Sequence, residues 1–319
     1  MKNILITGAA GFIGFHLSKL LLEKKINVLG IDNFSKSYDV KLKKLRITEL
    51  KKYKNFDFYP LDILNLTKLK LNFKIDTIIH LAAEAGVRKS IDDPYLYVEK
   101  NISGTIAVFE YAKKKRIKKI YYASSSSIYG DKGIYPTNEN VAANQPISIY
   151  GLTKIATENI AHYYYKIFSI NSIGFRFFTV YGPYGRPDMS IFIFAKSILM
   201  NKPVYLNNFG NNLRDYTYVG DVINYIFEIL KKTSKKRYFF EVFNIGGEFN
   251  IKLTKLIKIL EKKLKKKSKI IYRKKIPLDP VNSLATSKKI NKFVNKKFNI
   301  GLNKGLDITL DWLVNYLKK

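Results

Sequence analysis

The feature that most constrains this chain is a glycine turn set between two kinds of periodicity. "NILITG" is a short apolar run that ends at Gly8, and "GFIGFHLSKLLLEKK", from Gly11 onward, spaces its apolar residues three and four apart. The first is a strand pattern and the second a helix pattern. At the junction stand Gly8, Gly11 and Gly14. Glycines there let the turn tighten, let a phosphate approach the backbone and let helix and strand pack closely, with the helix N-terminus facing the anion. Directly after a strand and opening a helix, the trio points to a dinucleotide-binding turn.

Asp32 ends the next strand-like run, "INVLGIDN", eighteen residues past Gly14. Its carboxylate can accept hydrogen bonds from an adenosine ribose and would repel a 2′-phosphate, so NAD is favoured over NADP. Further strand-like runs are "FDFYPLDI", "IDTIIHLAA", "KKIYYASS" and "NSIGFRFF", with helical stretches over 39–52, 94–115 and 150–168. This alternation predicts an α/β class, a Rossmann-like doubly wound parallel sheet. After about Met189 four long segments read as helices, interrupted by "FNIGG". We therefore expect a dinucleotide-binding domain over 1–188, rejoined by 217–248, and a smaller C-terminal substrate-binding lobe mainly within 189–319.

A net charge of +32 invites a nucleic-acid reading. The lysines, however, recur in "KKYK", "KKKRIKK", "KKTSKKR" and "EKKLKKKSK" beside amphipathic runs all along the chain, not on one face. That is a compositional bias, and no specific nucleic-acid partner is expected. Its field can still steer a doubly anionic ligand. No run of about eighteen apolar residues exists, so no membrane span is expected. "MKNILITG" lacks a cleavable signal pattern. The absence of cysteine excludes disulfides, a thiolate nucleophile and a zinc–thiolate site, and a reducing cytoplasm is the expected compartment. His16, His80 and His162 fit helix or strand interiors, and no metal-ligand cluster is expected.

"YASSSSIYG", from Tyr122 to Gly130, sets four serines between apolar flanks, so it reads as the end of a buried strand and not as a linker. Twenty residues on, Tyr150 and Lys154 stand one turn apart in "SIYGLTK". A nearby ammonium stabilises a phenolate, which makes tyrosine a usable base near neutrality. The same spacing at Tyr111 and Lys115 reads as a solvated helix face. What singles out Tyr150 is its setting, because at the carboxyl edge of a parallel sheet a serine and a tyrosine can converge on one hydroxyl.

These residues resemble those of the extended short-chain dehydrogenases/reductases. Within that group the chain is most like the NAD-dependent nucleotide-sugar epimerases of the UDP-glucuronate 4-epimerase type. The general likeness lies in Gly8–Gly14, in "LAA" (Leu81, Ala82, Ala83), in the serines and in Tyr150 with Lys154. The narrower one lies in "GIDNFSKSYDVKLKKLR", "AAEAGVRKSIDDPYLYVEKNISGT", "RFFTVYGPYGRPDMSIFIFAKSILMNKPV" and "NNLRDYTYVGDV". Beyond about Val222 the likeness is weak. "PLDPVNSLAT" resembles a family loop in which Leu278 stands for a glycine and Thr286 for an acid, so no uracil or ribose contact is assigned there.

The resemblance implies that Ser125 hydrogen-bonds the reacting sugar hydroxyl, with Tyr150 as base and Lys154 as its electrostatic partner. It implies NAD contacts for Gly8, Gly11, Phe12, Ile13, Gly14, Asp32, Asn33, Asp62, Ile63, Leu81, Ala82, Ala83, Asn101, Tyr150 and Lys154, with NAD tightly bound and regenerated each cycle. It assigns substrate contacts to Arg88, Ser125, Ser126, Ser127, Thr179, Arg186 and Arg214, the last toward a UDP diphosphate. Related dehydratases carry an acid among positions 126 and 127. Two hydroxyls instead suit an anionic sugar carboxylate, which Arg186 can grip through two parallel bonds. A 4-keto glucuronate is a β-keto acid, and Ser126, Ser127, Thr179 and Arg186 are expected to hold its carboxylate out of line with the ketone. The expected reaction is UDP-glucuronate to UDP-galacturonate. A 4-epimerase of neutral UDP-hexoses and a non-catalytic NAD-binding regulator are the alternatives. The resemblance also implies a homodimer through helices 94–115 and 150–168.

Overall fold

The computed structural model describes residues 2–71, 73–131, 133–274 and 282–318. Strand and helix alternate from the start: β1 (Asn3–Thr7), α1 (Phe12–Glu23), β2 (Asn27–Ile31), α2 (Val40–Leu50), β3 (Phe56–Tyr59) and β4 (Thr77–His80). Two one-turn helices, α3 (Lys89–Asp92) and α4 (Pro94–Tyr97), lead through a π-helical stretch (Val98–Ser103) into α5 (Gly104–Lys114). Then come β5 (Lys119–Ser125), α6 (Ile149–Phe168), β6 (Asn171–Phe177) and β7 (Thr179–Tyr181). The remainder comprises α7 (Ser190–Leu199), β8 (Val204–Leu206), β9 (Leu213–Tyr218), α8 (Val219–Thr233), β10 (Phe240–Ile245), β11 (Asn250–Lys252), α9 (Leu253–Leu264), β12 (Ile270–Tyr272), α10 (Lys288–Val294) and α11 (Leu302–Leu317).

Seven strands form one sheet in the order β10-β6-β5-β4-β1-β2-β3, every neighbouring pair parallel. The chain winds outward from β1 to β3, crosses back, and winds outward again from β4. The reversal lies between β1 and β4, and ligands in such sheets bind in the crevice beyond the carboxyl ends at that point. The loops there are the glycine turn after β1 and "LAA" after β4. They meet through a glycine: Gly8 has φ +75, and a Cβ on it would lie 2.7 Å from the Ala82 nitrogen. A Cβ on Gly14 would lie 2.1 Å from the Gly8 carbonyl oxygen, so α1 can start this close to β1 only with glycine at 14.

Ile4, Leu5, Ile6, Ile78 and Ile79 are fully buried, as central strands covered on both faces require. One face packs against α1, α8 and α10 through Phe15, Leu21, Ile226 and Ile290; the other packs against α5 and α6 through Val108, Phe109, Ala161 and Tyr164. A third core, including Ile198, Leu256, Leu260 and Leu310, holds α7, α9 and α11 together.

Two sequence expectations differ from this architecture. A single helix over 94–115 is interrupted by the π-helical stretch, which turns Asn101 inward to bond Glu84 and Thr153. Residues 288–294, counted above with the lobe, pack Ile290 and Val294 into the core beside β10. The returning strand β10 brings an apolar face that needs cover, and α10 supplies it.

Candidate active site

A cleft of about 820 Å³ opens at the carboxyl ends of β1, β4 and β5 and extends toward β8 and β9. The serine run lines it. Ser125 ends β5, and its hydroxyl accepts the Ser127 amide at 3.2 Å, starting a single 3-10 turn that holds Ser126 and Ser127 at the rim. Helix α6 begins opposite, its first turn capped by Ser148, which accepts the Gly151 amide at 3.0 Å. That start places Tyr150 beside Ser125, whose hydroxyl acts on the phenol. Lys154 is buried, donates to the Ala123 carbonyl at 2.9 Å and lies 5.9 Å from the centre of the Tyr150 ring.

The electrostatics differ in part from expectation. Burial pushes the Tyr150 phenol above its ordinary value, while the Ser125 bond and the Arg186 charge pull it back. Burial also pushes Lys154 down to about 8, opposed by Glu158. Burial thus works against both charged forms, so the two values move apart, and the phenol gains its help from Ser125 and Arg186.

Behind the serines lies a polar network. Ser124 donates to Glu158 at 2.6 Å, and Arg176 grips the same carboxylate through Nε at 2.9 Å and Nη2 at 2.8 Å. Arg176 Nη1 donates to the Tyr129 hydroxyl at 2.8 Å, and Tyr129 donates to Asn244 at 2.7 Å. Against an opposing burial effect, the bond and charge of Glu158 raise the Arg176 pKa further.

On the other side of the cleft, Asp32 directly follows β2, 8% exposed, accepting the amides of Ala10 at 3.1 Å and Phe34 at 2.8 Å. Burial raises its pKa, and Lys43, those two amide bonds and Arg46 oppose the rise. Asp62 accepts Leu64, Asn33 and Lys100, and these bonds outweigh burial to hold its carboxyl low.

Residues 4–246 match the model of the NAD dependent epimerase/dehydratase family. The chain belongs to that family. A curated UDP-glucuronate 4-epimerase of Thermodesulfobacterium geofontis is 42% identical over 276 residues, 85% of this chain and 84% of that one. Among solved structures, UDP-glucuronic acid 4-epimerase from Bacillus cereus, in complex with UDP-glucuronic acid and NAD, superimposes with a TM-score of 0.92 at 36% identity, over 98% of this chain and 99% of that one. UDP-glucose 4-epimerase from Thermotoga maritima, with UDP-glucose, gives 0.87 at 27% identity over 99% of each.

In this member of the epimerase/dehydratase family the cleft brings together all but one of the residues singled out from the sequence. Arg88, Thr179, Arg186 and Arg214 line it with the serines, Tyr150, Lys154 and the glycine turn. Asn101 is the exception. It is 1% exposed, accepts the Glu84 amide at 2.8 Å and donates to the Glu84 carbonyl and to Thr153, so it braces the loop after β4 from behind. Arg186 is already gripped by Asp188, through Nε at 3.0 Å and Nη2 at 2.6 Å. His80 is buried between Thr7 and Thr105, and burial lowers its pKa to about 3; His16 bonds the Pro183 carbonyl and is lowered by burial to about 4. His162 instead lies on the exposed face of α6. Leu278 falls outside the described residues.

Lys43 and Arg46 were missed. Lys43 is 5% exposed, lines the cleft and donates to the Ser35 carbonyl at 2.8 Å. Arg46 is fully buried and donates to the carbonyls of Ala10 at 2.7 Å and Tyr184 at 2.6 Å, joining the glycine turn to the loop that carries Arg186. The signal existed. On α2 both cations fall on the stripe of Leu42, Ile47 and Leu50, where a solvated face would have placed them opposite.

The geometry around Asp32 predicts one outcome. Its two oxygens each accept one backbone amide, leaving lone pairs on both for further donors such as ribose hydroxyls would supply. Bonds to a charged group contribute about 1.5–3 kcal/mol, so Asp32→Ala should weaken NAD binding by about ten- to hundredfold. Isothermal titration of protein stripped of nucleotide would measure this, and an unchanged Kd would remove Asp32 from the site.

Proposed function

We propose that this chain is a UDP-glucuronate 4-epimerase, interconverting UDP-glucuronate and UDP-galacturonate through a 4-keto sugar. The observation that carries the reading is the set beside Ser125 and Tyr150: Ser126, Ser127, Thr179 and Arg186 line the same cleft, with hydroxyls at 126 and 127 where an eliminating enzyme needs an acid. The switch-point loops fit a dinucleotide, since glycines at 8 and 14 bring the backbone close and Asp32 keeps acceptors free. Gly8, Gly11, Phe12, Ile13, Gly14, Asp32, Asn33, Asp62, Ile63 and the "LAA" loop would hold it. Bound NAD supplies the hydride acceptor and donor for sugar carbon 4.

The chain's own residues do the rest. Tyr150 takes the proton from the sugar O4 and returns it, while Ser125 holds that oxygen in hydrogen-bond reach. Lys154, anchored on Ala123, supplies positive charge as the phenol ionises. Arg214 holds the diphosphate end, and the hydroxyls at 126, 127 and 179 with Arg186 hold the carboxylate.

The test is the product. Wild-type protein given UDP-glucuronate should yield UDP-galacturonate by proton NMR, and given UDP-glucose should yield little. Conversion of UDP-glucose alone would favour the neutral-hexose reading, on whose side stands the Asp188 carboxylate that already balances Arg186. No turnover of either sugar by NAD-loaded protein would leave a binding role. The carboxylate grip predicts a side product: Thr179→Ala should release more UDP-pentose and CO₂ per turnover than wild type, by a few-fold in the same NMR assay. An unchanged ratio would remove Thr179 from that grip.

A homodimer belongs to the same proposal. Tyr95, Val98, Ile106, Leu152, Tyr163 and Ile167 stay exposed along α4 to α6, with Tyr95 86% exposed. A monomer by light scattering would end that part. No helix among the described residues is long and apolar enough to cross a membrane; a cytoplasmic location is proposed with the function.

A further inference from the structure

The ion pair behind the serines takes no part in the proton transfer just described, yet it lies where it can set the charge that transfer needs. Glu158 follows Lys154 by one turn of α6, so Tyr150, Lys154 and Glu158 share one helix face. Its carboxylate is fixed by Arg176 at 2.8 and 2.9 Å and by Ser124 at 2.6 Å. We propose that Glu158 is a positioning residue for the catalytic trio: through Ser124 it fixes the end of β5 that carries Ser125, and from the same face of α6 it sets a negative charge one turn from Lys154. The inference rests on Tyr150 and Lys154 being the acid–base pair.

The groups around Lys154 leave Glu158 as its anionic neighbour. From β5 the Ala123 carbonyl accepts Nζ, and Tyr122 is a buried phenol whose pKa burial raises well above its ordinary value. From β4 comes His80, held neutral by burial. Asn101 and Thr105, packed near from the π-helical stretch and α5, are uncharged. From β6, Arg176 turns to Glu158, and its Nη1 donates to Tyr129 and to the Glu139 carbonyl. Arg186 acts on Tyr150. Burial pulls Lys154 down and Glu158 holds it up, leaving it at about 8. Without that charge the lysine sheds its proton at lower pH.

Glu158→Gln keeps the shape and removes the charge. The alkaline limb of its kcat/KM profile should move toward acid by about one pH unit, the shift a single close opposite charge produces, and Glu158→Asp should restore most of it. Ser124→Ala should lower kcat a few-fold with the limb in place. Urea unfolding of ligand-free protein gives a second readout. A lysine whose folded pKa is depressed costs stability below that pKa, and the cost fades as pH rises past it. The difference in unfolding midpoint between wild type and Glu158→Gln should therefore narrow as pH climbs from about 6 to about 8. Superimposed profiles together with a constant midpoint difference overturn the proposal. If Glu158→Gln does not fold, Glu158→Gln/Arg176→Met carries both measurements, because it strands no cation. A wild type that epimerises nothing sinks the underlying reading instead, while the unfolding series still decides whether Glu158 and Lys154 are coupled.

Discussion

Tyr150→Phe should epimerise UDP-glucuronate about 10²–10⁴-fold more slowly than wild type, the range a positioned acid–base group contributes, while binding NAD and substrate nearly as well. The hydroxyl is the single atom removed. The ring keeps its edge-on contact with Tyr97, centroids 6.2 Å apart, and its place near Lys154. Ser125 retains the Ser127 amide as a partner, so the serine turn should survive. Little else in the cleft can replace the lost proton acceptor. The Ser125 hydroxyl is a far weaker base, His80 is buried behind β4, and the Asp188 carboxylate is occupied by Arg186. The loss should therefore fall on kcat, with KM changed little. Steady-state rates from product NMR, with equilibrium binding of UDP-glucuronate, would measure it. A drop of less than tenfold would mean that another group carries the proton.

Residues whose chemistry follows from local pattern were legible in the sequence. The glycine turn, Asp32 and the pair Tyr150–Lys154 each sit at a strand end or one turn into a helix, where spacing alone orients the side chain. What stayed hidden depends on partners far along the chain. Arg46 matters through Tyr184, 138 residues away, and α2 showed it only as a cation on the wrong stripe. The strands β7, β8, β11 and β12 have three residues each and no period to read. They exist because β9 and β8 offer edges to pair with. The π-helical stretch was invisible for a like reason, since Asn101 is drawn inward by Glu84 and Thr153 and not by its own neighbours. The direction of the Tyr150 shift was misjudged because burial, a property of the whole cleft, outweighs any single charge.

Arg176 carries the same lesson into stability. An arginine in "NSIGFRFF" interrupts the apolar run from Ile173, and in β6 every residue is buried. Its side chain is 7% exposed and that of Glu158 15%. Surface pairs such as Lys19–Glu23, about half exposed on both sides, contribute about 0–1 kcal/mol. A buried pair behaves differently, because removing one member leaves the other charged and poorly solvated, at a cost of about 3–5 kcal/mol. Arg176→Met should therefore destabilise the protein by about that amount, with Glu158 left to Ser124 and Tyr129 deprived of a donor. Urea unfolding should show a lower midpoint with an unchanged slope. Glu158→Gln/Arg176→Met should recover most of the loss, since it buries no unpaired charge and the Tyr129 hydroxyl still donates to Asn244. If the single variant lost less than about 1 kcal/mol, water would have to reach Glu158 from the cleft. The carboxylate could then neither hold Ser124 firmly nor press its charge on Lys154.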